Sequence, residues 1–122
     1  MQPTEKLKQA ALALGFDLVG VCEAGPAPHM NEYRAWLAKD HHASMDYLRT
    51  QLPLKEHPDR LLPGARSVVA VALNYNQPNP ATSNQPRIAR YALGRDYHKV
   101  IGGKLRRLQA EIEKEHPNAE CR

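Results

Sequence analysis

Apolar positions along the chain repeat with two different periods, and the alternation between them outlines the fold. Leu7, Ala10, Ala11 and Leu14 stand at i, i+3, i+4 and i+7, the spacing of one helical face. They predict a helix from Glu5 to Leu14, capped by Thr4 and stopped by Gly15. Phe16 to Cys22 then predicts a short strand, bounded by Gly25 and Pro26. A second helix is expected from Asn31 to Lys39, with Tyr33, Trp36 and Leu37 inward and Trp36 as a core or hinge anchor. Ser44 is placed to cap a short helix carrying Met45, Tyr47 and Leu48 and ended by Pro53.

Lys55 to Arg66 reads as a basic loop with a Pro63–Gly64 turn. It leads into Ser67–Tyr75, an apolar run that is continuous rather than alternating, which predicts a central strand covered on both faces. Alanines at 70 and 72 would let helices approach closely. Asn76 to Pro86, rich in Pro, Asn, Ser and Thr, predicts an exposed mobile loop. The last helix should run from Tyr97 to His116, with Tyr97, Ile101, Leu105, Leu108 and Ile112 on one face and Lys104, Arg106 and Arg107 in an exposed basic patch. Gly102 and Gly103 weaken such a helix by about 1 kcal/mol each, which implies close packing against a backbone or a ligand. Pro117–Asn118 breaks it. The pattern predicts an α/β (α+β) fold, a sheet with packed helices, in one domain spanning residues 1–122.

Charge and cysteine usage narrow the function classes. Seventeen basic residues against thirteen acidic give a net charge of +4, compatible with a polyanionic partner such as RNA without requiring one. No signal peptide and no membrane-length apolar run is present, so a cytoplasmic protein with no membrane contact is expected. Cys22 and Cys121 have no CxxC spacing and are too few for a four-cysteine cluster, and two free thiols in a reducing compartment are expected. His41, His42 and Asp46 lack a third ligand at helical spacing, and no metal site is assigned.

The richest chemistry lies in Arg87–Lys99, which sets three arginines, two tyrosines, an aspartate and a histidine around Gly94. Gly94 permits a turn, and Asp96 can cap a helix beginning at Tyr97. A helix N-terminus behind a basic, aromatic loop suits an anionic or planar ligand, because its free N–H groups and its dipole favour negative charge.

Three segments, read together, carry a family resemblance: Gly15-Phe-Asp-Leu-Val-Gly, Leu61-Leu-Pro-Gly-Ala-Arg-Ser-Val-Val-Ala-Val-Ala-Leu-Asn-Tyr, and Ala89-Arg-Tyr-Ala-Leu-Gly-Arg-Asp-Tyr-His-Lys. With Ser44-Met-Asp-Tyr-Leu as a weaker fourth, they resemble, in order and spacing, the N-terminal region of the epoxyqueuosine reductases. The resemblance covers essentially the whole chain. It implies a bacterial enzyme that reduces epoxyqueuosine to queuosine in the anticodon loop of tRNA, using cobalamin and two [4Fe-4S] clusters. It also implies an N-terminal α/β domain, similar to nitroreductase-type and cobalamin-processing folds, that holds the corrinoid.

Carried over by position, the resemblance implies a cobalamin contact at Lys55, where the family has the arginine of Arg-x-x-Pro, and a second at Ala89 through its backbone. Lysine keeps the charge but loses the planar fork. Arg90, Tyr91, Asp96, Tyr97 and His98 match the family pattern and would line or support the site; His98 is not assigned as a cobalt ligand. No catalytic residue is expected within the chain, because the family's acidic proton donor would come just beyond Arg122, as would both cysteine-rich cluster motifs. The sequence therefore looks like a fragment that is inactive alone. Two other functions remain open at this level: a stand-alone corrinoid- or flavin-binding module, and a small RNA-binding domain using Arg87–Arg95 and Lys104–Arg107.

Overall fold

The computed structural model describes residues 1–76, 78 and 86–122. In chain order it contains α1 (Pro3–Ala13), β1 (Leu18–Glu23), α2 (Met30–Ala38), α3 (Tyr47–Thr50), α4 (Leu52–Glu56), a 3-10 turn (Pro58–Arg60), β2 (Ser67–Ala72), a second 3-10 turn (Arg90–Ala92) and α5 (Tyr97–Glu115). Most of the expected loop Asn76–Pro86, namely residues 77 and 79–85, lies outside the described residues. β1 and β2 pair in a two-stranded antiparallel ladder, bounded by the Asp17 N–H donating to the Ala72 carbonyl (2.9 Å) and the Ala24 N–H donating to that of Arg66 (3.0 Å). The fold is thus α/β. Two compact units divide the chain: Met1–Gly20 with Val69–Cys121, and Val21–Val68 with Arg122.

The first unit is built on Ala11, Phe16 and Leu108, all nearly inaccessible to solvent. Ala10, Leu14, Val19, Val69, Val71, Leu73, Ile101 and Ile112 pack around them. The helix expected at Glu5 begins earlier, at Pro3, and Thr4 is not its cap. Gln2 occupies that position without a side-chain bond, and Pro3 starts the helix because its fixed φ suits the first turn and it has no N–H to satisfy. Gly15 ends α1 as expected, at φ +86°.

Two expectations for β2 are overturned. Among the described residues it pairs with β1 alone, and Ala70 and Ala72 are exposed while Val69, Val71 and Leu73 face the core. The strand does alternate, but the pattern is hidden because alanine reads as apolar while contributing little buried area. In α5, Tyr97 and Leu105 are exposed, and the inward stripe is Ile101, Lys104, Leu108 and Ile112. Lys104 leaves the predicted basic patch: its ammonium donates to the carbonyls of Leu14 (2.6 Å) and Gly15 (3.3 Å) and lies 5.8 Å from the centre of the Phe16 ring. Among the described residues a Cβ at Gly102 or Gly103 would meet no atom within 4 Å beyond its own stretch of helix, so the expected close packing against a backbone is not seen there.

In the second unit Leu37 is buried, and Trp36 stacks on Tyr33 with ring centres 5.9 Å apart. The Tyr33 hydroxyl donates to the Leu48 carbonyl at 2.7 Å, tying α2 to α3. Ser44 does not cap α3; Asp46 holds the position without a side-chain bond. Pro53 does not end a helix either, but stands in the first turn of α4, where proline is tolerated. His42 is buried, with Nε2 3.1 Å from the Arg49 guanidinium; arginine can only donate, so this nitrogen accepts. Gly64, at φ +81° after Pro63, closes the expected turn, with the Ala65 N–H donating to the Leu62 carbonyl.

Candidate functional site

Apart from Lys55, the site residues singled out by the sequence lie beyond the β2 exit and at the entrance to α5. Beyond β2 the backbone is fastened twice: the Asn74 N–H donates to the Asp17 carboxylate at 2.6 Å, and the Asn76 N–H to the Asn74 side-chain oxygen at 2.9 Å. Asn76 in turn accepts a hydrogen bond from the Arg90 guanidinium. Tyr75 meets Tyr91 edge to face, with ring centres 6.4 Å apart. The 3-10 turn that carries Arg90 and Tyr91 is closed by the Ala92 N–H donating to the Ala89 carbonyl at 2.9 Å.

Gly94 then adopts φ +83°, a region costly to any residue with a Cβ, and redirects the chain into α5. Asp96 caps that helix as expected, its carboxylate accepting the His98 N–H at 3.0 Å. The same oxygen lies 3.0 Å from His98 Nδ1. Those bonds, the ring's first and the backbone's second, hold the Asp96 carboxyl below its ordinary value. The His98 ring stacks on Tyr97 with centres 4.0 Å apart.

Of the residues expected to form a site, Arg90 and Tyr91 are joined to the strand exit, and Asp96, Tyr97 and His98 form one cluster at the helix start. Ala89 supplies the carbonyl that closes the turn between them. Lys55 belongs to the second unit, at the end of α4, with its ammonium 5.7 Å from the centre of the Tyr33 ring and the Arg34–Glu56 ion pair beside it in sequence. Asn76 and Tyr75 join the site without having been expected there. Their only sequence signal is the Asn-Tyr-Asn run at the strand's end. Tyr75, Ile88, Tyr91 and Tyr97 are all substantially exposed, so the strand exit offers aromatic faces, phenol hydroxyls and a guanidinium, and the helix start a phenol and a carboxylate. Such a donor set suits a large ligand that is part planar and part amide or phosphate.

These residues present a varied donor set on an α/β scaffold. The family model described as "Epoxyqueuosine reductase QueG, DUF1730" matches residues 55–122, more than half the chain. The epoxyqueuosine reductase of Vibrio cholerae is 38% identical over 120 residues, covering 93% of this chain and 32% of its own length. That of Synechococcus sp. is 40% identical over 122 residues, covering 97% and 38% respectively. A solved structure, that of epoxyqueuosine reductase from Streptococcus thermophilus, superposes with a TM-score of 0.76 at 21% identity, over 97% of this chain and 33% of that one. The chain belongs to the epoxyqueuosine reductase family and shares its fold. It spans about a third of the length of the relatives it matches.

Proposed function

We propose that the chain is the N-terminal, corrinoid-holding portion of a cytoplasmic enzyme that reduces epoxyqueuosine to queuosine in tRNA. The observation that carries the reading is family membership across residues whose chemistry is concentrated at Ala89–His98. The nitroreductase-like and cobalamin-processing character of the domain is part of the same proposal.

The two implied cofactors differ in how well these residues suit them. A corrinoid presents carboxamides around a flat ring, together with a phosphate; exposed tyrosine faces, the Arg90 guanidinium and the Ala89 backbone match that chemistry. When bound, the corrinoid supplies a strongly reducing cobalt centre. Arg90, held by Asn76, would bind the rim or phosphate, with Tyr91 and Tyr97 against the ring's apolar parts. Asp96 fixes the start of α5 and holds His98 through Nδ1, so the pair has a support role. Lys55, on α4 of the second unit, is a separate proposed corrinoid contact that rests on the family pattern alone. An iron–sulfur cluster does not fit this chain: it has two cysteines, Cys22 and Cys121, against four ligands needed for one cluster. Neither the clusters nor the proton donor is assigned to residues 1–122.

The test is genetic and chemical. Deleting the gene that encodes this chain should leave epoxyqueuosine in place of queuosine in tRNA, read by mass spectrometry of tRNA nucleosides. Queuosine at unchanged levels in the deletion strain would refute the assignment.

A further inference from the structure

Positive charge in this chain is strongly localised. Residues 87–107 hold seven of its seventeen basic residues and one of its thirteen acidic ones, which leaves ten basic against twelve acidic elsewhere. Within α5, Lys99, Lys104, Arg106 and Arg107 occupy the first three turns, and Glu111, Glu113 and Glu115, with Lys114 among them, the C-terminal end. The structure removes Lys104 from this set, since its ammonium is committed to the Leu14 and Gly15 carbonyls. Lys99, Arg106 and Arg107 remain exposed, and among the described residues none of them has a carboxylate within ion-pairing distance.

Lys99 and Arg106 are seven residues apart, two turns along the helix, on the side opposite Leu108. They are therefore separated by about 10 Å along the axis. Gly102 and Gly103 lie between them with open space where side chains would stand. Two cations thus flank a low stretch of helix, so a strand laid across it meets charge at both ends and no bulk in the middle.

From this charge complementarity we propose that the outer face of α5, through Lys99, Arg106 and Arg107, is a docking surface for the phosphate backbone of the tRNA substrate. The inference rests on the substrate proposed above. It makes the two glycines part of an interaction surface, which internal packing does not explain.

The probe is an unmodified tRNA anticodon stem–loop, titrated against the full chain at several salt concentrations starting from about 50 mM. The double variant Lys99→Glu/Arg106→Glu should bind about tenfold or more weakly at the lowest salt. It should also flatten the log–log salt dependence by about 0.7 to 0.9 for each phosphate it no longer neutralises. Lys114→Glu, in the acidic turn, should stay within about twofold of wild type. Both changes lie on solvent-facing positions, and an unchanged melting temperature confirms that folding is intact. Cob(II)alamin uptake, followed on the same proteins, should be unaltered. An unchanged RNA affinity and salt slope in the double variant overturns the proposal. So does an equal loss in Lys114→Glu, or tighter binding to anionic lipid vesicles than to the stem–loop. Failure of the wild-type chain to take up corrinoid counts against the site at Ala89–His98, and the α5 surface is judged by the RNA titrations alone.

Discussion

Lys104 offers the sharpest check on the packing, because its role reverses what its charge and position imply. Its ammonium closes the C-terminus of α1 by donating to the Leu14 and Gly15 carbonyls, at 2.6 and 3.3 Å, and lies 5.8 Å from the centre of the Phe16 ring. Lys104→Met keeps the apolar stem and removes the donor. A hydrogen bond from a charged group is worth about 1.5–3 kcal/mol net, and a cation at a helix C-terminus about 0.3–1 kcal/mol. The side chain is only half-buried, so solvent screening brings the expected loss to about 2 kcal/mol. For a chain of this size that is a fall of about 1 M in the urea midpoint, with the slope of the transition unchanged.

Gly15 supplies a second reading of the same contact. It sits at φ +86°, and an added Cβ would lie 2.6 Å from the Lys104 nitrogen. Gly15→Ala should cost about 1–2 kcal/mol in backbone strain and, in addition, displace the ammonium from its carbonyls. In the Lys104→Met background only the strain remains, so the double variant should fall short of additivity by about 1 kcal/mol. A midpoint untouched by Lys104→Met, or strict additivity of the two changes, would refute the proposed cap.

Three further outcomes follow from the geometry. Leu108→Ala, which empties the centre of the first unit, should destabilise by about 3 kcal/mol in the same urea assay; a loss under about 1 kcal/mol would contradict its place in the core. Gly102→Ala and Gly103→Ala should each stabilise α5 by about 1 kcal/mol, since the new Cβ meets no atom, whereas destabilisation would mean that both are packed. The Asp96 carboxyl is held below its ordinary value of 3.8 by its bonds to His98, so its contribution is complete above that value and is lost as pH falls through the lower, folded value. Melting temperatures of wild type and Asp96→Asn should therefore converge as pH falls from about 6 to about 2, and parallel profiles would count against the cap.

What the sequence made legible was local. Asp96 as a cap, Gly94 and Gly15 as turns at positive φ, and the helical spacing of Ile101, Leu108 and Ile112 are each decided within a few residues, and each appears in the structure. Thr4 and Ser44 fail as caps although they have the right chemistry: Pro3 starts α1 one residue before Thr4, and α3 begins only at Tyr47, with Asp46 in the capping position. Lys104 departs from its expected place because a long cationic side chain can bury its stem and still reach polar groups, a choice that periodicity cannot register. Within the candidate site, the Asp96–His98 pair could be read from its spacing of two. The Asn76–Arg90 bond and the Tyr75–Tyr91 contact could not, because each joins residues more than a dozen positions apart.

Corrinoid binding is what separates a cofactor-holding module from a scaffold that merely shares its fold. Cob(II)alamin should be titrated into the purified chain, with visible absorption and co-elution on gel filtration as readouts. Saturable uptake is predicted, weakened about tenfold or more by Arg90→Ala and by Lys55→Ala, as expected when a charged partner is removed. A folded chain that takes up no corrinoid, or one whose uptake is indifferent to both substitutions, would contradict the assignment of this site.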